Sequence, residues 1–195
     1  MAKHKAYLLI GPDVAGVDEL HEELTVRADE LAAAGLSVPD VSAADIHLGA
    51  VEIRRMHKAE GLRRKDVEGT WAAICRAAEK CRGDVVIGAD LYAAATGDQI
   101  ALLLDGLRGF QTHVVVTFTG EDPDEQFELE DLIGPWSRLV KPERFHVLDV
   151  DDTAELDDVL REVVRLTQPE SQWGCQASSS DVRLVTDLGS FPLAS

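Results

Sequence analysis

The chain has 195 residues, 45% of them hydrophobic and 28% charged, with a formal net charge of −17. That length allows one domain with a proper core, and the acidic balance favours solubility while disfavouring general binding to nucleic acid or anionic membranes. The apolar runs are strand-sized, too short to cross a membrane, and the run after the basic start MAKHK is too short for a secretory signal. Cys75, Cys81 and Cys175 lack CxxC spacing, which fits a reducing cytoplasm better than a disulfide framework.

The first element is a buried strand, Ala6 to Ile10, followed by a glycine-bounded turn from Gly11 to Gly16. A helix then runs to about Ala34, with Val17, Leu20, Leu24 and Leu31 at helical spacing and Gly35 as its stop. Residues 43–60 and 66–80 read as two further helices, the second carrying Trp71, Ile74, Cys75 and Ala78 on one face. Asp84 to Gly88 is a short strand, and Ile100, Leu103, Leu104 and Leu107 mark the next helix, up to Gly109.

His113 to Phe118 is the clearest strand. Beyond it an acidic stretch opens a helix bearing Phe127 and Leu132, with a break expected at Gly134-Pro135. Phe145 to Val150 is a fourth strand, and Leu156, Val159, Leu160 and Val163 form the buried stripe of the last helix. From Gln168 onward the pattern lapses into polar residues with a lone Trp173, which reads as a flexible tail or as a segment that docks on a partner. The strands are continuous apolar runs separated by helices, so both sheet faces are covered. This predicts a three-layer α/β sandwich with a mainly parallel sheet of four or five strands.

In such a sheet, ligands sit outside the carboxyl ends of the strands. Strand, glycine turn and helix together form the architecture that cradles phosphate with backbone N–H groups. The side chains are wrong for that chemistry. A phosphate loop carries a Lys and one or two hydroxyls, whereas this turn offers Asp13, Val14, Ala15, Val17 and Asp18. Asp13 and Asp18 suit the capping of a helix start. They can also be read, with Asp90 and Asp151 or Asp152, as a carboxylate cluster for a divalent cation, although no calcium-loop spacing supports it.

The wording of YLLIG, ELAAAGLSVP, DVVIGADLYAAATGDQIALLLDGL and HVVVTFTGED resembles the actinobacterial sulfotransferase-like proteins of the P-loop fold, over most of residues 5–165. The resemblance implies a domain over 1–167, a tail over 168–195, and a first strand lying between the third and fourth. In that family the loop commonly reads Gly-x-Pro-Lys-Thr-Gly-Thr-Thr and holds the 5′-phosphosulfate of 3′-phosphoadenosine 5′-phosphosulfate. Here Gly11, Gly16 and Leu20 survive, Asp13 and Val14 replace the proline and lysine, and Ala15, Val17 and Asp18 replace the three threonines. The family's cationic grip on the 3′-phosphate, after the third strand, is also missing from Thr119-Gly120-Glu121-Asp122-Pro123-Asp124-Glu125.

Gly11, Asp13, Val14, Gly16 and Asp18 are therefore vestigial phosphate-loop positions. The implied function is a pseudoenzyme: a cytoplasmic binding or scaffold protein with no cofactor, no catalytic residue and no metal. An active transferase with a rebuilt donor site, or a metal-dependent enzyme using the acidic edge, is the alternative. Arg54, Arg55, Lys58, Arg63, Arg64 and Lys65 are the candidate contacts for an unknown protein partner or a second copy; the other reading is a solvated face that pairs with nearby acids. His47 and His57 lie where that family builds its acceptor site, while His113 and His146 read as structural.

Overall fold

The computed structural model describes residues 3–11, 20–118, 132–150, 156–167 and 182–185. Its centre is β1, Lys5–Ile10, flanked in parallel by β3, Asp84–Gly88, and β4, Gln111–Phe118. Beyond β3 lies β2, Leu36–Ser37; beyond β4 lies β5, Phe145–Val150; both are parallel. The last strand, β6, Val182–Val185, runs antiparallel along β5. The order is β2-β3-β1-β4-β5-β6.

Side chains alternate across this sheet. Ala6, Leu8 and Ile10, with Val85, Ile87, Val114 and Val116, belong to one core; Tyr7, Leu9, Val86 and Val115 belong to the other. Over the first core lie α3 (Ala43–Arg54), α5 (Thr70–Lys80) and α6 (Gly97–Gly106), contributing residues such as Ile46, Ile74 and Ile100. Over the second lie α1 (Leu20–Val26), α2 (Ala28–Ala33) and α8 (Leu156–Thr167). Short helical segments α4 (Arg64–Val67) and α7 (residues 132–137) complete the described helices. The three-layer α/β sandwich expected from the sequence is the fold observed.

Several details differ from expectation. β2 and β6 were not expected, and β6 adds an edge strand within the segment read as a tail. The first strand lies between the third and fourth only once Leu36–Ser37 is counted; among the four expected strands its neighbours are 84–88 and 111–118. The helix expected over 43–60 ends at Arg54, because Arg55 takes a left-handed conformation at φ 58°. The helix expected over 66–80 is divided by Gly69, at φ 90°. No break occurs at Gly134-Pro135: residues 132–137 are helical, and fully buried Trp136 holds that turn by donating its indole N–H to Ala93 O at 3.3 Å.

Candidate functional site

The carboxyl ends of β1, β2 and β3 converge on the start of α1 and the start of α3. Gly88, the last residue of β3, lets α1 approach closely: a Cβ there would lie 2.9 Å from the His21 backbone nitrogen. Gly11, directly after β1, is equally constrained, since a Cβ would overlap Thr117 Oγ1 and lie 2.8 Å from Thr117 O. The small residues at these strand ends are thus required by backbone approach, whatever the intervening turn binds. Asp13, Val14, Gly16 and Asp18 lie outside the described residues, as do Asp151, Asp152, the Asp90 side chain, Trp173 and the acidic run after Phe118.

Between α1 and α3 is a cleft of about 810 Å³, floored by Leu20, Ile46 and Leu91 and edged by His21, Ser42 and His47. This volume lies within the range of small-molecule sites. Ser42 is committed to the start of α3, where its hydroxyl accepts from the Asp45 N–H at 3.1 Å and donates to Asp45 Oδ2 at 2.7 Å. These contacts hold the Asp45 carboxyl below its usual range. His47 is exposed on the first turns of α3.

His21 is the unusual member. It is only 3% exposed, and neither ring nitrogen has a hydrogen-bond partner among the described residues. Burial lowers its pKa, outweighing the backbone of Val41 and Pro39, which favours the charged form. The ring is therefore neutral at physiological pH, beside an apolar cleft, with only the Val41 and Pro39 backbone among the described residues placed to accept from it. No Lys or Arg lines this cleft among the described residues.

The basic stretch lies at the far end of α3 and the turn that follows. Arg54 is half-buried and donates to Leu91 O at 3.1 Å, so it braces the segment after β3 rather than projecting freely. Arg63 forms a fork with Asp66 at 2.9 and 3.0 Å, holding the Asp66 carboxyl below its usual range, and Arg64 lies 3.4 Å from Glu68. Arg55, Lys58 and Lys65 are exposed. Three of the six cations are thus spent on local contacts, and Arg55, Lys58 and Lys65 make no ion pair among the described residues. His57 is half-buried in the turn after α3, where its carbonyl accepts from Leu62 N at 2.7 Å.

His113 and His146 face the other core, under α8. Their rings are parallel, with centroids 5.3 Å apart, and His113 Nδ1 lies 3.0 Å from His146 Nε2. One ring must donate and the other accept, so at least the accepting ring is neutral. Burial is the main cause that pushes each down to about 4, aided at His113 by His146, Lys5 and Arg144 and at His146 by Lys5. Tyr7 packs against His113 and donates its hydroxyl to Leu166 O at 3.0 Å. The pair joins β4 to β5, Tyr7 links β1 to α8, and neither histidine lines the cleft.

Sequence reasoning singled out the loop, the basic stretch and four histidines but not His21, which stands in no motif spacing. Its isolation becomes visible only when α1 is placed against β3 and the segment before α3. Among the described residues no helix is long and apolar enough to cross a membrane, and no group of three or more His, Cys, Asp or Glu side chains converges to hold a metal ion. Comparison of the chain with family models, curated proteins and solved structures finds no match in any of the three.

Proposed function

We propose that this chain is a non-catalytic binding or scaffold protein on a sulfotransferase-like frame, one that has lost the grip on its sulfate donor. One observation carries the reading: the cleft at the ligand-binding edge of the sheet has no Lys or Arg among its described lining residues. A phosphosulfate or triphosphate entering there would be stripped of water with no cation to replace it. The sequence of the intervening turn points the same way, since Val14 stands at the lysine position and Asp13 and Asp18 add like charge. What remains is a largely apolar recess with a neutral His21, suited to an uncharged or weakly polar guest or to a partner's side chain.

A second reading is favoured by His21 itself. A buried imidazole kept neutral retains a lone-pair nitrogen, which is what a general base needs, and the Val41 and Pro39 backbone can hold its N–H. It supports a transferase with a rebuilt donor site. A thermal-shift panel with 3′-phosphoadenosine 5′-phosphosulfate, its desulfated product, and ATP with Mg²⁺ separates the two. A ligand that binds only the native state raises the melting temperature as its concentration rises. The binding-protein reading requires no shift with any of them, and a concentration-dependent rise with the sulfate donor would overturn it in favour of the transferase reading.

A further inference from the structure

A second cleft, of about 260 Å³, opens at the opposite edge of the sheet, beside the amino ends of β4 and β5. Its walls include Leu107 and Phe110, from the end of α6 and the turn after it, and Leu139, one of the few large apolar residues exposed among the described residues, at 45%. Arg108, Lys141 and Arg144 stand around these apolar walls. A fourth cation is adjacent: Lys3 donates to the Arg108 carbonyl at 2.7 Å. The local balance is opposite in sign to the −17 of the whole chain.

The charges here are largely uncommitted. Arg108 comes no nearer than 3.9 Å to Asp105, and Lys141 no nearer than 3.9 Å to Glu143; all four side chains are well exposed, and such pairs are weak. Arg144 makes no ion pair among the described residues, and its Nε is buried without a hydrogen-bond partner. Its guanidinium is thus held partly out of water on a short helical turn, Pro142–Arg144, where its attraction for an anion is greater than at full exposure. Apolar walls without cations would suggest a simple packing defect, and cations without walls would suggest solvated surface. Their combination selects for a molecule with both properties.

We propose that this cleft binds a small organic carboxylate with a compact apolar body, of the size of a single aromatic ring. The carboxylate would engage Arg144 and Lys141, and the ring would cover Phe110, Leu107 and Leu139. A volume below that of drug-sized sites limits the guest to about one ring. The site is separate from the cleft between α1 and α3 and stands whether or not the donor reading is correct.

The test is an amide-resolved NMR titration of the full chain with benzoate, and with benzyl alcohol and acetate as the ring without charge and the charge without ring. Benzoate should shift the Phe110 and Thr112 amides saturably, while neither control saturates over the same range. The Lys141→Gln/Arg144→Gln double variant, checked for an unchanged melting temperature, should bind benzoate about tenfold more weakly, the loss expected when charged hydrogen bonds are removed. The Arg144→Gln single variant provides the same reading if the double variant fails to fold. Equal response to benzyl alcohol would reduce the cleft to an apolar hollow, and equal response to acetate would reduce it to unspecific anion attraction. Either of these results, no response to benzoate, or undiminished binding in the variant would overturn the proposal.

Discussion

Acidification should destabilise this protein through one identifiable contact, the His113–His146 pair. Both rings are held neutral under α8, and burial pushes each pKa from the ordinary 6.5 to about 4. The unfolded chain takes up these protons at the ordinary value, whereas the folded chain resists them until about two units lower. Stability is therefore fully present above about pH 6.5 and is lost as pH falls towards 4. At about 1.4 kcal/mol per unit, a drop from about pH 7 to about pH 5 costs about 2 kcal/mol per ring and about 4 kcal/mol for the pair. The charged groups facing the pair, Lys5 and Arg144, are both cations and oppose protonation further. Urea unfolding of the wild type and of a His113→Phe/His146→Leu variant at both pH values isolates this contribution, because His21 and the many carboxylates are common to both. The variant should lose about 4 kcal/mol less between the two pH values than the wild type. An equal loss in the two proteins would refute the argument.

Other consequences follow from close approaches and surface pairs. Gly11→Ala should cost about 1–3 kcal/mol by overpacking against Thr117, while Gly97→Ala, with open space around it on α6, should be neutral or mildly stabilising in the same urea assay; equal effects would mean that the β1–β4 approach is not what demands glycine at 11. Reversing Arg63, Arg64 and Lys65 to Glu should leave stability little changed in the same assay, since these pairs lie at the surface. If the stretch serves an anionic face of a second copy, low-salt self-association in sedimentation velocity should vanish both on reversal and on raising the salt. Association that survives both would leave the stretch as solvated surface.

The strands and the layering were legible because burial on both faces writes continuous apolar runs such as HVVVTF, and period-2 alternation then splits them between two cores. Two strands escaped because Leu36–Ser37 is too short to show a period and Val182–Val185 is a single apolar phrase among polar residues. Helix ends were less legible than helix faces: Trp71, Ile74, Cys75 and Ala78 are the buried face of α5, yet the left-handed Arg55 carries no sequence mark of a stop. The sites divide in the same way. Gly11 stood out locally, whereas His21, the His113–His146 contact and the basic cleft draw on residues far apart in the chain. Strand register joins His113 to His146: Val115 lies opposite His146, so both rings share one face.

The central claim concerns the lost donor grip, and calorimetry with 3′-phosphoadenosine 5′-phosphosulfate addresses it most directly. A helix start offers about half a positive charge, whereas the phosphosulfate brings more than one negative charge to a turn carrying Asp13 and Asp18 and no lysine. The account predicts no measurable heat of binding with the unmodified protein. A Val14→Lys/Val17→Thr/Asp18→Thr variant should regain weak binding without turnover, since the second phosphate grip is missing from the sequence after Phe118 as well. Tight binding of the sulfate donor to the unmodified chain would contradict the account and favour the transferase reading.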